Sequence, residues 1–295
     1  MSRSLHRDVF LADGRKPDVV LGGLESNQTI SRGLFLHIIA ILLAPDTPAY
    51  EIMHRESGLV LQQDDSAKLE PGWYDVMLIN SDKPIELTTD EWRLRGYSPS
   101  SSSVLGTFKD EALQRDDRCV IMQPSAPGRS SRTDPGWDGS HAVHVFPVAH
   151  VREFISSGLS ACITNKSSES DSGINSIQNG LFLSPTCHFL FDAYHISIHP
   201  REHRVVCFSY DFHDVGGKVI SKTCWDPNSE DSVRPELFDW HFRQAVLANM
   251  KGAGAPIFEN DFPEGSDMVA KIREGPMPEN RMEVELAMRL PSPAS

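Results

Sequence analysis

Asn179-Gly180-Leu181-Phe182-Leu183-Ser184-Pro185-Thr186-Cys187-His188-Phe189-Leu190-Phe191-Asp192 is the stretch on which the fold turns. Asn179-Gly180 reads as a turn. Leu181–Leu183 is a short apolar run of strand type. Ser184-Pro185 then opens a helix. Ser184 takes the N-cap, where its hydroxyl accepts an orphan backbone N–H, and Pro185 takes the first turn, where its missing N–H does no harm. On that helix His188 and Asp192 are four residues apart and share a face. An imidazole and a carboxylate so placed can both reach one divalent ion.

Upstream lies His141-Ala142-Val143-His144-Val145-Phe146-Pro147, a strand-like run that Pro147 ends. His144 on a strand facing the helix could act on a water beside the ion, so the reading is strand, turn and helix closed around a metal. Residues 115–215 hold 8 of the chain's 12 histidines, which marks the middle third as the place to look for proton and metal chemistry. His141, His150, His195, His199 and His203 have no motif role there. Cys119 and Cys187 sit in apolar runs and read as core.

Around this centre the chain reads as α+β. Arg7–Ala12 and Pro17–Leu21 are strand candidates, and Gly33–Leu43 is a buried helix. Trp73–Ile79 and Ile85–Thr88, flanking a turn-rich connection, read as a hairpin. The serine run Ser98–Ser103 reads as a linker, and Thr107 with Asp110 as a capping box opening a short helix into Gln114. Thr164–Gly173, polar throughout, reads as an exposed, mobile loop. Pro235 starts a helix that Gly252 ends, Ser266-Asp267 caps a helix to Ile272, and Met282, Leu286 and Leu290 make a stripe on a last helix. The divisions are residues 1–104, an N-terminal α+β region; 105–215, holding the site; and 216–295, packed helices.

The order His, Asn-Gly, His resembles the HNH nuclease family, whose fold is a ββα-metal finger. More specifically, the chain looks like fungal HNH-domain proteins that carry an Arg-Asp…Arg-Cys-Val-Ile run, here Arg115-Asp116-Asp117-Arg118-Cys119-Val120-Ile121, ahead of the first His. They share the whole Asn179–Asp192 motif, and the tail His241–Gly252, Asp261-Phe262-Pro263 and Arg281-Met282-Glu283 extends the likeness. The resemblance implies metal-dependent endonuclease action on phosphodiesters. His144 matches the general base and Asn179 the residue that orients the site through its amide. His188 matches a metal ligand, with Asp192 as a second ligand and Mg, Mn or Zn as the ion. Many HNH nucleases carry an acidic residue or His just before the base. Val143 stands there and cannot ligate, so Val143→Asp is expected to restore the pattern and tighten metal binding. Arg115 and Arg118 read as salt-bridge partners ahead of phosphate contacts.

Composition bounds these readings. The chain has 295 residues, 39% hydrophobic and 23% charged, enough for a packed core. Its net charge of −13 excludes nucleic-acid binding by bulk charge, so contact with phosphate needs a local basic site or a metal. Two alternatives follow from that acidity and from Val143. The fold could serve a small-molecule substrate, in a cyclisation or isomerisation step of fungal secondary metabolism, or be a catalytically silent interaction module. Five cysteines without a C-x-x-C pair argue against a disulfide framework. The N-terminus lacks an apolar signal core and Leu34–Ala44 is far short of the ~20 residues of a membrane span. The expectation is a cytoplasmic or nuclear protein that is not secreted and has no membrane partner, its partner being nucleic acid or the small molecule.

Overall fold

A computed structural model of the chain describes residues 7–27, 29–95, 102–122, 140–166 and 172–252, with shorter pieces at 265, 267–274 and 282. It is a mixed α+β chain that divides into two compact units. One comprises Met1–Leu94, Phe208–Tyr210 and Val246–Ser295, and the other Arg95–Cys207 and Asp211–Ala245.

The first unit is built on a four-stranded sheet of order β2-β1-β4-β3. Its strands are β1 (Val9–Asp13), β2 (Lys16–Leu24), β3 (Tyr50–His54) and β4 (Gly72–Leu78). β1 runs antiparallel to β2 and parallel to β4, and β3 is antiparallel to β4. Helix α1 (Arg32–Leu42) is capped by Ser31, whose side chain accepts the Leu34 N–H. Its apolar face, Phe35, Ile38, Ile39 and Leu42, is buried, as are Val9, Leu11, Ile52, Tyr74 and Val76 of the sheet. The two N-terminal strands and α1 fall where their residues indicate. The expected hairpin does not form: β4 pairs with β1 and β3, and of Ile85–Thr88 only Leu87 makes an isolated bridge, to Leu43. The apolar residues of β4 find partners on both sides in strands distant in sequence.

The second unit holds α2 (Ser102–Asp116), β5 (His141–His144), α3 (Val151–Ser156), β6 (Gly180–Leu183), α4 (Pro185–Asp192), β7 (Ile196–Ile198), β8 (Val205–Cys207) and the start of α5 (Pro235–Met250). β5 pairs antiparallel with β6, with His144 opposite Gly180, and β7 pairs antiparallel with β8. Ser184 caps α4 by accepting the Cys187 N–H, with Pro185 in the first turn. α2 starts well before Thr107, so the capping box is interior helix and caps nothing. Most of the serine run and the last helix lie outside the described residues, whereas Asp267 does cap α6 (Met268–Glu274), its carboxylate accepting the Ala270 N–H at 3.0 Å.

The pleat of β5–β6 sorts the core. Val143, Leu181 and Leu183 pack with Cys187 and Phe191 of α4 and with Cys119. Phe182 and, partly buried, Ala142 point the other way, onto Ala112 of α2. Alternate residues of a strand serve opposite faces, so one hairpin is shared between two helices. The described start of the expected loop at Thr164–Gly173 is anchored: buried Gln178 accepts the backbone N–H of Thr164 at 2.8 Å and of Asn165 at 3.1 Å.

Candidate active site

The hairpin–helix unit β5-β6-α4 carries every residue that the motif singles out. Asn179 sits at the entry to β6 and is fully buried. Its Oδ1 accepts the Phe146 N–H at 2.7 Å, and its Nδ2 donates to the carbonyls of Phe146 at 3.0 Å and Ile174 at 2.8 Å. Its own carbonyl accepts the Val145 N–H at 2.8 Å. Asn179 therefore ties down the backbone that follows His144, and its burial keeps it from touching a substrate.

His144 ends β5 on the α2 side of the hairpin. Its ring stacks on Phe108 of α2, centroids 4.0 Å apart and planes 5° from parallel. The same Phe108 ring covers Gly180: a Cβ there would lie 2.7 Å from the ring. The Nε2–H of His144 donates to Asn175 Oδ1 at 3.1 Å, which leaves the lone pair on Nδ1. Burial pushes its pKa down to about 4, with the Arg95 charge adding to the effect, while the Asn175 bond and Asp192 oppose it. His144 is thus a neutral imidazole at pH 7.

His188 and Asp192 lie on α4 and touch each other, His188 Nε2 standing 3.0 Å from Asp192 Oδ2. The His144 ring has its hydrogen bond and its stacking partner elsewhere, in Asn175 and Phe108. His188 Nδ1 is 2.8 Å from Nδ1 of His141, the residue that shares the strand face of Val143. The other oxygen of Asp192 accepts Arg95 Nε at 2.7 Å. Burial disfavours the Asp192 charge, but Arg95 and His188 outweigh it and hold the carboxyl down at about 2. A line His141–His188–Asp192–Arg95 results, in which His188 and Arg95 both donate to the Asp192 carboxylate. Both ligand candidates stay open to solvent, with side chains 30% and 37% exposed.

Among the described residues no group of three His, Cys, Asp or Glu side chains could hold a metal ion. Two donors do fit. The 3.0 Å between His188 Nε2 and Asp192 Oδ2 is close to the spacing of adjacent ligands at bonds of about 2.1 Å, and an ion held by few protein groups keeps positions for water and phosphate. Val143 cannot add a third, because it is 3% exposed inside the apolar cluster. The expected gain from Val143→Asp is overturned for that reason: the new carboxylate would point into the core.

Arg115 and Arg118 act as braces. Arg115 forks onto Asp116, both bonds 2.7 Å, and reaches the carbonyls of Ile177 and Gly180. Arg118 pairs with Asp117 at 2.9 Å. Arg95, Phe108, His141 and Asn175 were not distinguished by sequence reasoning. Only His141 carries a local signal, since it stands two residues from Val143 and must share its face.

Residues 119–199 match a family model described as HNH endonuclease, and residues 6–85 match one described as a domain of unknown function, DUF8573. No curated protein and no solved structure matches the chain. No helix among the described residues is long and apolar enough to cross a membrane.

Proposed function

We propose that this chain is an HNH-type endonuclease that hydrolyses phosphodiester bonds with a divalent metal, on a ββα-metal core formed by β5, β6 and α4. The observation that carries the reading is the coincidence of the HNH endonuclease match over 119–199 with a neutral histidine on the strand and a His–Asp pair on the helix. His144 Nδ1 accepts a proton from water as its oxygen attacks phosphorus and the ester P–O bond breaks. His188 and Asp192 would hold the ion. A bound divalent ion supplies charge stabilisation at the phosphoryl and leaving oxygens. Asn179, Asn175 and Phe108 orient His144 without touching the substrate.

A second reading is favoured by one observation: both oxygens of Asp192 are already engaged, by Arg95 and by His188. A closed pair of that kind suits a fold turned to a small molecule or to protein interaction. Metal content of the purified protein and plasmid nicking in Mg²⁺ and in Mn²⁺ decide between them. Nicking that His144→Ala and His188→Ala abolish supports the nuclease. A metal-free protein that nicks nothing overturns it.

A further inference from the structure

We propose that Arg95 is the positioning residue that couples the strand of the general base to the helix of the metal ligands. It does so from outside the segment that matches the HNH endonuclease family. This inference rests on the nuclease reading for its catalytic consequence and on geometry alone for the coupling itself.

Arg95 spends all three of its nitrogens across two elements. Nε donates to Asp192 Oδ1 on α4 at 2.7 Å. One terminal nitrogen donates to the Val145 carbonyl at 2.7 Å and the other to the His144 carbonyl, both at the end of β5. The side chain is 5% exposed, so it is withdrawn from any substrate and cannot be a catalytic residue. Its guanidinium lies 5.2 Å from the centroid of the Phe191 ring, one residue before Asp192.

That end of α4 is fixed a second time. His241, fully buried, stacks on Phe191 with centroids 3.6 Å apart. It accepts the Ser197 hydroxyl at Nδ1 and donates from Nε2 to the Phe191 carbonyl. Phe191 and Asp192 therefore have little freedom of their own, and Arg95 passes their position to the backbone of His144. No hydrogen bond joins the His144 side chain to His188 or Asp192 among the described residues, whereas the guanidinium hydrogen-bonds to the backbone of the base and to a ligand candidate at once.

The fork shape matters. A guanidinium presents donors in fixed, diverging directions, whereas an ammonium is a point charge on a flexible stem and cannot hold three acceptors in this arrangement. A displacement of about 1 Å between reacting groups can reduce turnover ~10²-fold. Loss of the clamp is therefore expected to appear in kcat, with KM for the nucleic acid unchanged.

The test uses the full chain with Arg95→Lys and Arg95→Ala, and two readouts. The first is amide hydrogen exchange without metal. The amides of Val145 and Phe146, bonded to Asn179, and of Ala193 and Tyr194, bonded to α4, should speed up together by about tenfold or more, while α1 amides stay unchanged. The second is nicking of a supercoiled plasmid substrate. Both variants should lose about 10²-fold in kcat at constant KM, and guanidinium ion, unlike equal sodium chloride, should restore part of the Arg95→Ala rate. If Arg95→Ala does not fold, Arg95→Lys carries both measurements. Wild-type exchange at both sites, or loosening of α4 alone, overturns the coupling while leaving the nuclease reading intact. A wild-type chain that cleaves nothing removes the nuclease reading, and the exchange data then decide the clamp alone.

Discussion

Replacing Asn179 by Ala removes one acceptor and two donated bonds at once. The Phe146 N–H and the carbonyls of Phe146 and Ile174 lose partners at 2.7, 3.0 and 2.8 Å, in a place where both residues are buried. A buried polar group left without a partner costs about 1–3 kcal/mol, and neighbouring losses do not add fully, so roughly 3–4 kcal/mol is expected in total. For a unit of this size that lowers Tm by about 10 °C. Asn179→Asp should be worse near pH 7.5, since it sets a carboxylate oxygen against two carbonyl oxygens. Burial and that repulsion raise the carboxyl's pKa above its unfolded value. Its penalty must therefore shrink as pH falls and the group protonates. Thermal melts of both variants between pH 5 and pH 8 check this. The reasoning is refuted if Asn179→Ala melts within about 2 °C of wild type, or if Asn179→Asp is the more stable variant at the upper end.

Further outcomes follow from the same contacts. His144→Ala should reduce nicking by ~10²–10⁴ with metal affinity unchanged, whereas His188→Ala should lower both, as titration calorimetry with Mn²⁺ beside a rate assay will report. With the folded His144 pKa depressed to about 4, its stabilising contribution is full above the unfolded value near 6.5 and is lost as pH falls toward 4. Wild-type Tm should drop over that window, and His144→Gln should flatten the drop. Val143→Asp should destabilise the fold and leave metal affinity no tighter, measured by denaturant midpoint and calorimetry, because its carboxylate enters the cluster of Leu181, Cys187 and Phe191. Asp192→Asn should weaken metal binding and stability together, since it loses charge toward both Arg95 and His188.

Local chemistry made parts of this structure readable from residues alone. Ser184-Pro185 declared the start of α4, and the spacing of His188 and Asp192 set them in contact, because caps and helical faces depend on a few adjacent residues. Pairing across long separations was hidden. β4 carries the alternation of a strand, yet nothing in it says that its parallel neighbour is β1. Arg95 gave no signal for the same reason: its partners, His144, Val145 and Asp192, lie 49, 50 and 97 residues away. His144 was recognised by motif, but its side of the hairpin depended on α2, whose Phe108 stands in no motif.

Gly180 has a practical consequence for anyone transplanting this hairpin into another scaffold. The ring of Phe108 lies so close over its Cα that any larger residue would lever the ring away, and the same ring is the platform for His144. Glycine, phenylalanine and histidine thus form one packed triple, drawn from β6, α2 and β5 in that order. A graft of the hairpin and α4 alone would import the imidazole without the surface that aims it. The smallest portable cassette begins upstream, where α2 and Arg95 are still included.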